Sequence, residues 1–278
     1  MSEDKPQPRR PRDENPPPGQ PAAEVPLLDS LLAAIRFYSR LPTGNRAHTA
    51  PDLNRMATTL PFASLLIGAL PALILLVAAL IGLPRLFAAG LAVTAAVMVT
   101  GAMAEDALAD AADGLFGGDT RERRLEIMHD SRHGTYGVAA LCLFLVLRVA
   151  ALSTMAGVEP LAAAAVWLAA MLMARSGALW LTVALPSARA DGASASAGRV
   201  AMPAFGMGAI VALILGLILG APGTGLPGFI CAVSLMALTG LGWAALCRRL
   251  VGGQTGDLIG ALQALLEIAA LTGFLVAV

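Results

Sequence analysis

Glu105-Asp106-Ala107-Leu108-Ala109-Asp110-Ala111-Ala112-Asp113-Gly114 closes an apolar run that begins near Leu86. Asp106, Asp110 and Asp113 recur at i, i+4 and i+7, so a helix through them carries all three on one face. At a rise of about 1.5 Å per residue they span roughly 10 Å of its axis. Each carboxylate at bilayer depth costs about 2.5–3.5 kcal/mol on insertion scales, and three on one stripe repel each other. Acids at a helix C-terminus also oppose the macrodipole, so helix design alone does not explain them. A divalent cation would relieve both the burial and the repulsion. The stretch therefore predicts a membrane helix ending in a metal site, and metal at a membrane points to phosphoryl chemistry. A solvated helix end and a cation or proton path remain open as other readings.

The rest of the chain agrees with a membrane setting. Its 278 residues are 57% hydrophobic and 14% charged, with mean hydropathy +0.72. Soluble domains carry about a quarter charged residues, so this composition predicts an all-α polytopic helix bundle. The formal net charge is zero, which implies no nucleic-acid partner. Cys142, Cys231 and Cys247 lie in or beside apolar runs without metal-ligand spacing and read as small buried hydrophobes.

Residues 1–26 are rich in Pro, Arg, Asp and Glu and lack the apolar core of a signal peptide, so a disordered tail is expected there. Residues 27–278 are expected to form one membrane-embedded catalytic domain. Leu27 to Tyr38 shows a helical apolar stripe too short to span, which predicts an interfacial or re-entrant helix. Arg40 to Arg55, with Pro42 and Pro51, reads as a loop.

About seven spans are then expected: Leu60 to Leu83, Leu86 to Leu108, Tyr136 to Ala156, Leu161 to Leu185, Met202 to Leu219, Leu226 to Cys247, and Leu258 to Val278. Basic connections alternate with bare ones. Arg36, Arg40, Arg46 and Arg55 precede the first span; Arg121, Arg123, Arg124 and Arg132 follow the second; Arg189, Arg199, Arg248 and Arg249 lie in later loops. Gly82 to Arg85, Gly157 to Pro160 and Gly220 to Gly225 are short and nearly uncharged. The positive-inside rule then places the N-terminus and the basic loops in the cytoplasm and the C-terminus outside. Asp106, Asp110, Asp113, Asp130, Asp191 and Asp257 all fall on the basic side, where one pocket would collect them.

The segment Arg121 to Gly137 combines guanidiniums, imidazoles, hydroxyls and glycines. Arginine forks bind phosphate oxygens in pairs. Asp130, Ser131 and Arg132 are expected to organise a phosphate, whereas Arg121 and Arg123 read as solvated residues that serve orientation. His129 and His133 have the i, i+4 spacing of a zinc pair, but no third ligand of that kind is nearby. Gly252-Gly253-Gln254-Thr255-Gly256-Asp257 is a glycine-rich turn ahead of a helix, suited to phosphate or metal; Asp257 reads equally well as a helix cap. Arg175 lies close enough to the basic end to reach the pocket, and Arg148 is expected to pair internally or snorkel.

Several strings together resemble the cobalamin synthase (adenosylcobinamide-GDP ribazoletransferase) family. They are Arg40-Leu41-Pro42, the Asp106/Asp110/Asp113-Gly114 cluster, Leu125-Glu126-Ile127-Met128-His129-Asp130-Ser131, Gly134-Thr135-Tyr136-Gly137, Ala188-Arg189 with Gly192, and Gly252 to Asp257. The resemblance runs from about Phe37 to the C-terminus. Where that family carries His-Leu-Asp-Gly, this chain has Ala104-Glu105-Asp106-Ala107, which makes Glu105 an added candidate carboxylate. The loop after Gly192 is Ala/Ser-rich, where the family favours Leu-Gly.

The resemblance implies transfer of adenosylcobinamide phosphate from adenosylcobinamide-GDP to α-ribazole or its 5′-phosphate, with release of GMP. It implies Mg²⁺ as cofactor. The metal set would then be Asp106, Asp110, Asp113 and Glu105. Asp113, Asp130 and Arg132 would act in catalysis. Ser131, His129, His133, Arg175, Arg189, Gly253, Gln254 and Asp257 would bind substrate. The setting would be a bacterial inner membrane with the site facing the cytoplasm. Partners would be the two substrates and membrane lipid; a homo-oligomer and contact with other late cobalamin-pathway enzymes stay open. The runner-up is a cation- or proton-coupled transporter, which explains the acids but not the Arg-His-Ser-Gly-Thr loop.

Overall fold

A computed structural model describes residues 27–44, 52–130, 132–189 and 198–277. The expectations for the tail, Arg46, Ser131, Asp191 and Gly192 lie outside these. Eleven helices are described: α1 Leu27–Tyr38, α2 Leu53–Met56, α3 Leu60–Leu80, α4 Arg85–Thr100, α5 Met103–Gly117, α6 Arg121–Ile127, α7 Thr135–Val158, α8 Pro160–Ala178, α9 Trp180–Ala184, α10 Met202–Val251 and α11 Gly256–Leu275. No strand occurs among the described residues, only an isolated parallel bridge between Ser187 and Gln254. The all-α membrane bundle is what the apolar runs dictate.

Five of these segments are long and apolar enough to cross a membrane, and a sixth is the bent pair α4 and α5. The sequence reads α4 and α5 as one continuous span; instead they meet at 86°. Gly101 and Ala102 both have left-handed backbones there, φ +67° and +59°. Gly101 caps α4 as glycines commonly do, while Ala102 carries strain that only surrounding packing sustains. α10 is interrupted at Gly225, φ 69° and ψ 173°. Its two arms, residues 202–224 and 226–251, fold back on each other, since a Cβ on Gly216 would lie 3.6 Å from Phe229. The predicted Gly220 to Gly225 connection is this turn.

α8 and α11 form the interior. Trp167, Leu172, Leu181, Leu262 and Phe274 are fully buried. Gly273 lets α11 touch the backbone of α10 at Ala232, and Gly260 lets it meet α5 at Ala107. Close approach through small residues is how membrane helices gain dispersion contacts without a hydrophobic driving force. α1 lays Ala34, Ile35 and Tyr38 against the bundle and leaves Leu27 and Leu28 exposed, the division an interfacial helix needs. Of the three cysteines only Cys247 is buried; Cys142 is exposed and Cys231 intermediate. This corrects the uniform expectation, because α7 turns Cys142 to the outside of the bundle.

The connections sort by charge. Arg85 lies against Gly157, and Gly223 against Ala162, so the three bare turns gather at one end. At the other end Arg121 donates to the carbonyls of Val251 and Ala188 at 2.8 and 2.9 Å, and Arg189 donates to Leu125 O. The basic loops are thus tied to each other, as one pocket at that end requires.

Candidate active site

α5 crosses the bundle between two attachments on α7. At its far end Asp113 Oδ2 accepts the backbone N–H of Gly134 at 2.6 Å, and Oδ1 accepts that of Gly137 at 2.8 Å. Gly134 is the N-cap of α7 and has no side chain with which to cap it. Asp113 supplies the missing acceptors from another helix, and its negative charge suits the positive end of the α7 dipole. The glycines are required by this approach. A Cβ on Gly137 would overlap Asp113 Oδ2 and lie 2.8 Å from Ala109 O.

Asp106 and Asp110 face outward from the same helix. Their side chains are 65% and 18% exposed. His133 sits between them, Nε2 4.0 Å from Asp106 Oδ1 and Nδ1 3.7 Å from Asp110 Oδ1. Asp257, in the first turn of α11, acts on both carboxylates with the same sign, and Arg189 balances it. Asp106, Asp110 and His133 line one face, and Asp257 and Arg189 lie close enough to act on its charges. Asp113, only 6% exposed, is turned into α7 behind them. The i, i+4, i+7 stripe is real as helix geometry but divides into two jobs.

Other predicted residues are placed as follows. Glu105 does not join the stripe: it is buried and accepts from Arg148 Nη1 at 2.9 Å. One residue from Asp106, it lies about 100° around the helix and points into the bundle. Arg175 does not reach the open face either. It is 3% exposed, stacks its guanidinium 5.6 Å from the Tyr38 ring, and leaves Nε and Nη1 without a hydrogen-bond partner. His129 is exposed.

Arg132 and Asp130 form an exposed two-residue fork, with Nε to Oδ1 at 3.0 Å and Nη2 to Oδ2 at 2.6 Å. The guanidinium and the Arg132 backbone N–H hold the Asp130 carboxyl at a pKa of about 2. Arg121 is not a free surface charge, since it stitches the end of α10 to residue 188. The expectation that it serves orientation alone is corrected by those two bonds.

The Gly252–Asp257 turn is built against the 186–188 loop. Gln254 N donates to Pro186 O and Ala188 N to Gln254 O, both at 2.8 Å. Gly253 must be glycine, because a Cβ would lie 2.6 Å from Pro186 O and 2.8 Å from Ala188 N. Thr255 caps α11 through Leu258 N, and it, not Asp257, is the capping residue. That frees Asp257 to face Asp110. Gln254 is buried with Oε1 unpartnered.

Among the described residues no three His, Cys, Asp or Glu side chains stand at metal-ligand separation. The donor chemistry nevertheless fits Mg²⁺: Asp106 and Asp110 present hard carboxylate oxygens on either side of His133, and Asp257 adds to their mutual repulsion. Mg²⁺ is ordinarily held by one or two carboxylates together with substrate phosphates and water, not by an all-protein cage. Asp106 and Asp110, with Asp257 opposite, are the residues that would hold it.

Comparison with known proteins follows the same residues. A family model described as cobalamin-5-phosphate synthase matches residues 30–275. An adenosylcobinamide-GDP ribazoletransferase from Azorhizobium caulinodans is 46% identical over 90% of this chain and 96% of its own length. One from Bradyrhizobium diazoefficiens is 48% identical over 66% and 68%, and one from Mesorhizobium japonicum 45% over 66% and 68%. No solved structure matches. The helical body and its acid-lined end thus lie inside a single matched stretch, and the chain belongs to the cobalamin-5-phosphate synthase family.

Proposed function

We propose that this protein is an adenosylcobinamide-GDP ribazoletransferase that assembles the nucleotide loop of cobalamin at a membrane. The observation that carries the reading is the family match across residues 30–275, which covers every residue of the acid-lined face. It replaces transport as the explanation of acids on α5. The setting is the inner membrane of a bacterial cell, with the basic loops and the site in the cytoplasm.

The reaction needs little covalent chemistry from the protein. A hydroxyl oxygen of α-ribazole, or of its 5′-phosphate, attacks the phosphorus that carries the cobinamide arm. That O–P bond forms as the bond from the same phosphorus to the bridging oxygen breaks, and GMP leaves with that oxygen. Positioning and charge neutralisation dominate such transfers. Bound Mg²⁺ supplies charge neutralisation at the pyrophosphate.

Asp106, Asp110 and Asp257 would hold that cation. Arg189 and Arg132 face its phosphate oxygens as planar donors. His133, 44% exposed beside Asp106 and Asp110, is the residue to which we assign acceptance of the hydroxyl proton. Asp113, assigned to chemistry by sequence, serves by fixing the loop that presents His133. The test is conversion of adenosylcobinamide-GDP and α-ribazole 5′-phosphate by purified protein, followed by chromatography of both products. Stoichiometric GMP and cobalamin 5′-phosphate are expected. GMP without the corrinoid product would indicate hydrolysis and overturn the reading.

A further inference from the structure

The bundle interior holds a charged network that the transfer chemistry does not use. Arg148 on α7 is 4% exposed, Glu105 on α5 5% and Glu267 on α11 3%. The guanidinium donates from Nε and Nη2 to Glu267 Oε1 and Oε2 at 2.8 and 3.1 Å, and from Nη1 to Glu105 Oε1 at 2.9 Å. Trp167 Nε1 on α8 donates to Glu267 Oε1 at 2.8 Å. The guanidinium carbon also lies 5.3 Å from the Phe144 ring and 5.5 Å from that of Trp167. Four helices meet at one cation.

Its place on α5 gives the network a task. α5 follows an 86° break with two left-handed residues, so α4 does not hold its direction by a continuous backbone ladder. Glu105 lies in the first turn after that break and adjoins Asp106. Arg148 stands eleven residues beyond Gly137 on α7, about 16 Å along the helix. α5 is therefore fastened to α7 at two separated points, by Asp113 at the loop end and by Glu105 at depth. These two fastenings, with the contact of Ala107 on Gly260 of α11, fix the angle of α5.

We infer that Glu105, Arg148, Glu267 and Trp167 are positioning residues that set the angle of α5 and so the aim of Asp106 and Asp110. The inference rests on the proposed function for the purpose of the aim, though not for the fastening. A residue without a side-chain acceptor at position 105 could not receive Arg148 Nη1. Partners that orient ligand carboxylates commonly change metal affinity by about 10–100-fold when removed.

Two readouts test it on the full chain in nanodiscs. The first is direct Mg²⁺ binding by calorimetry, beside the Mg²⁺ dependence of GMP release. Glu105→Leu should weaken Mg²⁺ binding about tenfold, with a smaller change in kcat at saturating Mg²⁺. Glu105→Gln, which keeps an acceptor for Arg148, should restore most of it. Glu267→Gln, which removes one of the two acceptors that Glu267 offers Arg148, is the second variant should Glu105→Leu not fold, and it should shift affinity in the same direction by a smaller factor. The second readout is the distance distribution between spin labels at Cys142 and at Met103→Cys, in a Cys231→Ser, Cys247→Ser background. It should broaden in Glu105→Leu and stay narrow in Glu105→Gln. An unchanged distribution with unchanged Mg²⁺ affinity in both carboxylate variants overturns the inference. If the parent chain releases no GMP, the functional reading fails while the distance measurement still decides the fastening.

Discussion

Gly137→Ala tests whether Asp113 works by fastening α7 to α5. The added methyl would overlap Asp113 Oδ2 and stand 2.8 Å from Ala109 O and 2.9 Å from Asp113 Cγ. None of these is the free end of a flexible side chain, since Asp113 is held from both oxygens and Ala109 O is backbone. The helices must part by enough to break the Gly137 bond at least. A hydrogen bond to a charged group contributes about 1.5–3 kcal/mol. If His133 and the acids lose register by that amount in the transition state, kcat/KM falls by roughly tenfold to a hundredfold. The same loss lowers the unfolding midpoint on the order of 5 °C, taking the scale for domains of this size. The assay is GMP release beside a thermal unfolding scan in one detergent. Gly90→Ala, where a Cβ meets nothing within 4 Å, is the control and should change neither. A Gly137→Ala protein with parental activity and midpoint would refute the fastening.

Further outcomes follow from the same geometry. Gly253→Ala would collide with the Pro186 and Ala188 backbone, so it should lower the midpoint and activity together, read by the same scan and assay. Arg121→Lys keeps the charge but not the fork that reaches Val251 O and Ala188 O; loss of one bond of about 1 kcal/mol should appear as a lower midpoint, which a purely solvated residue would leave unchanged. Arg132→Lys should cut kcat/KM about tenfold or more if it meets a phosphate, because an ammonium lacks the planar pair of donors. The Asp130 carboxyl is depressed to about 2. A depressed acid contributes above its unfolded pKa and loses that contribution as pH falls through the folded one; a pH–rate profile of Asp130→Asn should therefore match the parent in shape between about pH 5 and 9.

The apolar runs made the bundle legible, because a span must satisfy its backbone internally and cover itself with hydrocarbon. The turn at Gly225 was legible from its glycines and prolines. The break at Gly101 was not, since one glycine inside a long apolar run does not distinguish a bend from a packing site. Asp106, Asp110 and Asp257 were visible as chemistry-bearing acids. The different task of Asp113 was hidden, because its partners are backbone groups twenty or more residues away. Glu267 and Trp167 went unnoticed as partners of Arg148, although an acid inside the last apolar run was itself a signal. Arg121 looked like a topology charge because its acceptors are carbonyls at 188 and 251, which no spacing rule connects to it.

The most direct measurement of the central claim is GMP release from adenosylcobinamide-GDP and α-ribazole 5′-phosphate, titrated with Mg²⁺, by the parent protein and by Asp106→Asn, Asp110→Asn and Asp257→Asn. With Asp106 and Asp110 holding Mg²⁺, the expected results are no turnover in chelator, saturable activation by Mg²⁺ in the parent, and a large loss in the Asp106 and Asp110 variants with thermal midpoints unchanged. Parental turnover in chelator, or full activity in both Asp106→Asn and Asp110→Asn, would contradict it.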